Sequence, residues 1–264
     1  MKLETKMLIP AATVLLIRDG EDGLEVFMVK RHKNIDFAGG ALVFPGGKLD
    51  ITDSDPDIRQ FCTVRDELTG EQLAMRIGGI RETFEESGVL LAREDGSDTF
   101  LNGEHSAALQ PYRDRLNDGE ITMKEMAAQE NIKYACDIMQ PFAHWITPPA
   151  FHKQFDTWFY VVRSPGEQLA SHDEGETTDS LWIKPQQALE DAVEKRRIVV
   201  FATRANLTKL GESADCGSAL VTARETKITT IMPVPEETEG GSIFRIPEEA
   251  GYGFTEMFIP GALK

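Results

Sequence analysis

Apolar residues of this chain are grouped into short runs separated by charged or glycine-rich turns, a pattern that predicts both strands and helices. Near the N-terminus, Ala12–Arg18 and Leu24–Lys30 flank an acidic turn and predict a β-hairpin. The next apolar run, Ala41–Phe44, predicts a third strand. It leads into Pro45–Gly47, here called the glycine loop, whose backbone can approach a ligand closely because it carries no bulky side chain.

Further along the chain, predicted strands and helices alternate. We predict strands at Gln140–Thr147, Phe155–Arg163 and Leu181–Ile183, and helices at Ser106–Leu116, Thr122–Asn131, Pro185–Lys195 and Ala205–Leu210. This order favours an α/β sandwich. The most linker-like stretch, Pro233–Gly241, is too near the C-terminus to begin a second domain. We therefore expect one domain over residues 1–264, with an additional helical segment at about 105–131.

Helical periodicity is most informative in the segment that leads into Arg81–Val89, which reads R-E-T-F-E-E-S-G-V. At about 100° per residue, one side of this helix is apolar and carries Leu73, Ile77, Ile80 and Phe84. The opposite side carries three carboxylates, those of Glu82, Glu85 and Glu86. Like charges three or four residues apart repel each other, so helix stability does not require this cluster. A site for Mg²⁺ or Mn²⁺ explains it, because both ions prefer oxygen ligands; the alternative is an ordinary solvated acidic face.

The composition narrows the functional classes. A net charge of −16 argues against a nucleic-acid-binding protein, since nucleic-acid phosphates require a basic surface. It also makes an anionic substrate unfavourable unless a metal ion reverses the local field. Cys62, Cys136 and Cys216 are isolated and lack metal-ligand spacing, so we expect reduced thiols and a cytoplasmic location. No apolar run is long enough to span a membrane, so we expect no membrane partner.

The glycine loop and the acidic helix together resemble the Nudix box, the signature of the Nudix hydrolases, which is written G-x5-E-x7-R-E-U-x-E-E-x-G-U with U apolar. The matching residues are Gly47, Arg81, Glu82, Glu85, Glu86, Gly88 and Val89. The resemblance implies a Nudix-type α/β/α sandwich with a mixed β-sheet, a helical insertion within the box and extra C-terminal elements.

The chain departs from the box in two ways. Thr83 occupies the apolar position after Arg-Glu. Arg81 follows Gly47 by 34 residues, about 20 more than the box has. The first Glu of the box therefore has two candidate positions: counting forward reaches Asp53, and counting backward reaches Leu73. The sequence does not decide between them.

The extra residues predict an insertion at about 51–69. Asp55-Pro56 is a suitable helix start, so we predict a helix over Asp57–Leu68. This helix is expected either to pack beside the substrate pocket or to form a contact in a homodimer. Thr69 and Gln72 then form a capping box, which predicts that the acidic helix begins there.

Nudix hydrolases use Mg²⁺ or Mn²⁺ and water to cleave a nucleoside diphosphate linked to another group. By this resemblance, Glu82 and Glu86 are metal ligands, and Glu85 is a third ligand or the general base. Arg81, four residues before Glu85, holds its carboxylate by a hydrogen bond. Glu176 is the candidate for a further catalytic carboxylate from a later loop.

Candidate substrate-binding residues come from the glycine loop and from separate cations. Gly46 and Gly47 allow the backbone to approach a phosphate. Arg31, which lies just before the loop in the densest basic run, and Lys153 are candidates for phosphate contact.

The interrupted box resembles the branch of the family that contains the long acyl-coenzyme A diphosphatases. Trp145–Tyr160 and Phe201–Leu207 resemble this branch more loosely. The leading expectation is hydrolysis of coenzyme A or acyl-coenzyme A to adenosine 3′,5′-bisphosphate and 4′-phosphopantetheine products. The alternative is an ADP-ribose or dinucleotide pyrophosphatase. A non-catalytic ligand sensor is a second alternative, which the intact carboxylate cluster disfavours.

Overall fold

The computed structural model describes residues 7–32, 38–65, 67–166, 168, 170 and 177–260. Its strands are β1 (Ile9–Gly20), β2 (Gly23–Arg31), β3 (Leu42–Val43), β4 (Gly46–Lys48), β5 (Ala92–Glu94), β6 (Ile132–Tyr134), β7 (Gln140–Ile146), β8 (Phe155–Arg163), β9 (Thr177–Ile183), β10 (Thr230–Ile231), β11 (Val234–Thr238), β12 (Gly241–Arg245) and β13 (Glu256–Pro260). Its α-helices are α1 (Gly70–Ser87), α2 (Gly103–Ala108), α3 (Tyr112–Asn117), α4 (Met123–Glu130), α5 (Pro185–Val193), α6 (Phe201–Leu210) and α7 (Cys216–Glu225). Short 3₁₀ helices lie at Ile51–Ser54, Pro56–Phe61, Cys136–Ile138 and Glu248–Ala250.

Strand β1 is the centre of an eight-stranded mixed sheet. It runs parallel to β8, from the pair Ile9–Phe155 to the pair Ile17–Arg163. On its other side it pairs antiparallel with β4 near its start and with β2 near its end, which confirms the predicted hairpin. The strand order is β10-β7-β8-β1-β2-β3, with β4 also on β1 and β9 also on β2. The glycine loop is thereby attached to the first half of β1.

Alternate residues of β1 belong to two hydrophobic cores on opposite faces of the sheet. Ala12, Val14 and Leu16 pack in the core that contains residues of α1, α3 and α4. Leu15 and Ile17 pack in the core that contains residues of α5, α6 and α7. All five of these β1 residues are fully buried. Helices therefore cover both faces of a mixed sheet, which confirms the α/β/α sandwich.

Helix α1 begins at the predicted capping box and lies very close to the sheet. The Thr69 hydroxyl accepts the Gln72 N–H at 3.2 Å, and the Gln72 side chain accepts the Thr69 N–H at 3.0 Å. A Cβ added at Gly79 would lie 2.9 Å from Met139 Cε and 3.3 Å from Val14 Cγ2, so a larger residue there would require the Met139 side chain to move. The helix ends at Gly88, whose φ of 70° is the left-handed conformation favoured by glycine.

The insertion does not form the helix predicted over Asp57–Leu68, and that prediction is wrong. It forms 3₁₀ helices at Ile51–Ser54 and Pro56–Phe61. The side chain of Asp50 caps the first and that of Asp55 caps the second. Asp55 separates the two helices, and the second ends at Phe61 because the backbone becomes extended at Cys62.

The rest of the insertion is extended and attached to the additional helical segment. The Thr63 N–H donates to the Tyr134 carbonyl oxygen at 2.8 Å, and β-branched residues such as Thr63 favour the extended conformation. Asp55 forms an ion pair of 2.5 Å with Lys124 of α4. At the start of the insertion, Thr52 borders the cavity described below.

Two other predictions are corrected by the structure. The helix predicted over Ser106–Leu116 is interrupted between α2 and α3, where Pro111 has no N–H to donate. The linker-like stretch Pro233–Gly241 contains β11, which forms a three-stranded antiparallel sheet with β12 and β13. Phe244 and Tyr252 anchor this sheet to the core beside α5–α7. No helix within the described ranges is both long and apolar enough to cross a membrane.

Candidate active site

The acidic face of α1 meets the glycine loop at the edge of the sheet. The Gly46 N–H donates to Glu86 Oε2 at 2.9 Å. A Cβ added at Gly47 would lie 2.6 Å from Glu82 Oε2, and one added at Gly46 would lie 2.5 Å from the Ala12 carbonyl oxygen. Backbone atoms leave no room for a side chain at Gly46, and a side chain at Gly47 would displace the Glu82 carboxylate. Glycine at both positions is what allows the loop to approach the carboxylates this closely.

Arg81 is the centre of the hydrogen-bond network. Its Nη1 donates to Glu85 Oε2 at 2.8 Å and to Glu82 Oε1 at 3.0 Å. Its Nη2 donates to Asp53 Oδ2 and to the Lys48 carbonyl oxygen, both at 3.0 Å. Burial alone would lower the pKa of Arg81, but the Asp53 hydrogen bond and the surrounding carboxylate charges outweigh it, so this pKa is raised. Arg81 is therefore a fixed cation among carboxylates.

Asp53 is the buried partner of Arg81. Its side chain has no exposed surface and lies 3.0 Å from the guanidinium group, whereas Leu73 is buried in the apolar core. Of the two positions that box spacing offered for the first Glu, only Asp53 thus places a carboxylate in the site. The sequence signal that pointed to Asp53 was the box spacing counted forward from Gly47.

Glu85 is buried among charges. Burial raises its pKa, the Arg81 charge lowers it and the Glu82 charge raises it, with a net value of about 8. Without a metal ion, this carboxyl group therefore holds a proton at neutral pH. Its backbone carbonyl accepts two hydrogen bonds from Arg113 of α3, at 3.0 and 2.8 Å, which fix the last turn of α1. No sequence pattern pointed to Arg113.

One cavity of about 1280 Å³ brings the predicted residues together. Those bordering it are Arg31, Gly46, Gly47, Arg81, Glu82, Glu85, Glu86 and Lys153. Glu176 lies outside the described residues. Arg31 Nε is buried and has no hydrogen-bond partner in the described part of the chain. A guanidinium group that borders a cavity and has a buried N–H without a partner suits an anionic ligand.

The α1 carboxylates fit a divalent cation in their chemistry and position. Glu82, Glu85 and Glu86 offer oxygen ligands on one cavity wall, and with Asp53 they outnumber the single positive charge of Arg81. Among the residues that the structure describes, no three His, Cys, Asp or Glu side chains are already arranged as a metal-binding group. Hydrogen bonds to Arg81 and Gly46 hold these carboxylates instead. A cation must therefore compete with those bonds.

Comparisons with known proteins agree on one family and one fold. The NUDT19 Nudix domain family matches residues 63–202, which is 140 of the 264 residues. The acyl-coenzyme A diphosphatase NUDT19 of Xenopus laevis is 26% identical over 210 residues, covering 63% of this chain and 54% of that protein. The human acyl-coenzyme A diphosphatase NUDT19 is 24% identical over 239 residues, covering 71% of this chain and 64% of that protein. The chain thus spans between about half and two-thirds of the length of these curated relatives.

A solved structure with a similar fold is the Nudix hydrolase of Alicyclobacillus acidocaldarius. It is 25% identical, with a TM-score of 0.64, and the alignment covers 83% of this chain and 97% of that one. The coverage extends well beyond the family match and supports the α/β/α sandwich independently of it.

Proposed function

This chain belongs to the NUDT19 Nudix domain family, and from that premise we propose that it hydrolyses the diphosphate linkage of coenzyme A or an acyl-coenzyme A. The products would be adenosine 3′,5′-bisphosphate and 4′-phosphopantetheine or its acylated form. One observation carries the proposal: the carboxylates of Glu82, Glu85 and Glu86 and the glycine loop border the same cavity. The relatives named acyl-coenzyme A diphosphatase support the substrate class.

The proposed chemistry divides between a cation and the side chains around it. Glu82 and Glu86, with Glu85 beside them, would hold Mg²⁺ or Mn²⁺, which would neutralise charge at the diphosphate and lower the pKa of a bound water. Glu85, a buried carboxylate beside the cation, would accept the proton of the attacking water. Arg81 positions Glu85 through its hydrogen bond of 2.8 Å.

Arg31 is proposed to bind a phosphate group of the substrate. Arg31 borders the cavity, and its buried Nε has no hydrogen-bond partner among the described residues. A planar guanidinium group binds phosphate oxygens with two parallel hydrogen bonds. Lys153, in the loop between β7 and β8, borders the same cavity and adds positive charge. A chain with a net charge of −16 needs such local cations to attract an anion.

The proposed partner is a small molecule and not a nucleic acid, because the net charge is strongly negative. Cys62, Cys136 and Cys216 are free thiols, which suits the proposed cytoplasmic location. We propose that residues 1–264 act as one domain, with a homodimer as an alternative role for the insertion.

A substrate panel with product identification tests the proposal. The protein is incubated with Mg²⁺ or Mn²⁺ and with coenzyme A, an acyl-coenzyme A, NADH or ADP-ribose, and the products are identified by mass. We expect adenosine 3′,5′-bisphosphate from the coenzyme A compounds and the highest kcat/KM for one of them. Preferential release of AMP from ADP-ribose or NADH would replace coenzyme A as the substrate. Binding of these compounds without any product would instead indicate a ligand sensor.

A further inference from the structure

The cavity continues from the carboxylates to an apolar end beside the C-terminal sheet. This end, here called the apolar arm, is lined by Trp145, Phe159, Phe201, Ser242, Phe244 and Ile259. The Phe201 ring stacks on Phe244 with centroids 4.8 Å apart, and Trp145 meets Phe201 edge-on at 5.6 Å. Ser242 and Phe244 are two apart on β12 and so face the same side, and Ile259 of β13 is paired with Ser242.

Two polar side chains line the arm, those of Trp145 and Ser242, and the Trp145 side chain is paired. Asn206 lies behind the lining, and its buried Nδ2 has no hydrogen-bond partner among the described residues. Trp145 Nε1 donates to the Tyr252 hydroxyl at 3.1 Å, and that hydroxyl donates to Asn206 Oδ1 at 2.6 Å. Ser242 Oγ is different: the residue is 2% exposed, and its hydroxyl has no hydrogen-bond partner in the described part of the chain. A buried hydroxyl without a hydrogen-bond partner lowers stability, and a ligand that accepts a hydrogen bond from it removes this cost.

We propose that the apolar arm binds the acyl chain of an acyl-coenzyme A, and that the Ser242 hydroxyl donates a hydrogen bond to a carbonyl oxygen of the acyl-pantetheine group. This inference rests on the proposed function, since it needs the diphosphate of the same molecule at the α1 carboxylates. Residues of β12 and β13 form part of the arm and lie beyond the family match at residues 63–202. The arm is therefore assigned from this chain alone.

An adenine base fits the arm less well than a hydrocarbon chain. The edge of adenine carries several donors and acceptors, and each one left unpaired in an apolar site costs binding free energy. The arm offers Ser242 Oγ as its unpaired polar atom, which suits one carbonyl oxygen. A methylene group needs no hydrogen bond, and burying one is worth a roughly two- to fourfold gain in affinity.

Substitutions on β13 provide a matched test by steric block. Ile259 lines the arm, whereas the adjacent Phe258 is 48% exposed. The measured quantity is kcat/KM for a long-chain acyl-coenzyme A divided by kcat/KM for coenzyme A. We expect Ile259→Trp to lower this ratio by at least about tenfold, because the larger side chain would keep a few methylene groups of the acyl chain from being buried. Phe258→Trp should leave this ratio unchanged. An unchanged ratio in a folded Ile259→Trp protein would overturn the proposal.

Tryptophan fluorescence tests the same site without catalysis and without changing Ile259. In EDTA, an acyl-coenzyme A brominated on its chain should quench more fluorescence than the unbrominated compound, because Trp145 lines the arm. Trp145→Phe should abolish this difference, leaving Trp158 and Trp182 as the remaining tryptophans.

The combined outcomes separate the arm from the enzyme activity. Hydrolysis of acyl-coenzyme A without bromine quenching at Trp145 would overturn the arm and leave the proposed function standing. Quenching at Trp145 by a protein that hydrolyses no compound of the panel would overturn the proposed function and support the arm as a site for acyl chains. Absence of both would overturn both.

Discussion

Replacing Glu85 by Gln should stabilise the metal-free protein at alkaline pH and have little effect at acidic pH. The pKa of Glu85 is raised from 4.5 to about 8, mainly by burial. The folded protein therefore binds a proton that the unfolded chain has already released between these two values. By linkage, the wild-type protein loses stability as pH rises from about 4.5 to about 8, and a neutral Gln avoids this loss. The gain in the free energy of unfolding is at most about 1 kcal/mol at pH 5 and about 5 kcal/mol at pH 9.

Urea unfolding in EDTA at pH 5, 7 and 9 measures this gain for Glu85→Gln relative to wild type. Glu71→Gln is the matched control, because Glu71 is an exposed residue in the first turn of the same helix. The control should shift stability by a similar, small amount at every pH. A gain for Glu85→Gln that is the same at pH 5 and pH 9 would mean that this carboxyl group does not hold a proton at neutral pH, and the electrostatic reasoning would fail.

Three further predictions concern the metal, Asp53 and the insertion. Mg²⁺ or Mn²⁺ should raise the melting temperature of the wild type. In EDTA, the triple variant Glu82→Gln, Glu85→Gln and Glu86→Gln should melt no lower than the wild type, and metal should not shift its melting temperature. A metal shift that persists in the triple variant would place the principal site elsewhere. Asp53→Asn should lower the free energy of unfolding by about 2 kcal/mol, less than for an isolated buried pair because Arg81 retains other carboxylates. Asp57→Asn, at an exposed site in the same insertion, is its control in urea unfolding, and equal effects would contradict the buried role of Asp53. Replacing residues 55–68 by a Gly-Ser link that keeps Asp53 should change KM and substrate ranking but not the metal requirement; an unchanged ranking in a protein that has become monomeric would favour the dimer role.

Sequence reasoning succeeded where the determining interactions are local. Helix α1 begins at the capping box of Thr69 and Gln72, and both halves of that box are residues three apart in the chain. Its apolar stripe and its three carboxylates follow from helical periodicity alone. The motif likewise identified five residues that border the cavity, namely Gly47, Arg81, Glu82, Glu85 and Glu86.

The sequence was less informative where the determining contact joins distant segments. Asp53 reaches Arg81 across 28 positions, and only the three-dimensional structure shows which side of the insertion supplies this carboxylate. Arg113 of α3 donates a hydrogen bond to the Glu85 carbonyl oxygen, and no sequence pattern predicts this contact. The predicted helix start at Asp55-Pro56 is confirmed, but the helix ends at Phe61, where Cys62 becomes extended and the Thr63 N–H bonds the distant Tyr134 carbonyl oxygen.

The C-terminal sheet was missed for a physical reason. Strand β11 is rich in Pro and Glu, residues that are depleted in strands, and most of its residues are exposed. Its pairing with β12 and the anchoring of Tyr252 beside Asn206 stabilise it through contacts that lie far apart in the chain.

The central claim is that the α1 carboxylates carry out hydrolysis of the diphosphate. Its most direct test is the kcat of Glu86→Gln and of Glu82→Gln at saturating Mg²⁺, measured beside Glu71→Gln with the best substrate of the panel. Both active-site variants should fold, because each removes one member of a repulsive cluster, and the amide oxygen introduced by Glu86→Gln can still accept the Gly46 N–H. We predict that each lowers kcat by at least about a hundredfold, the loss expected when a charge that stabilises the transition state is removed. A near-normal kcat in either folded variant would contradict the account.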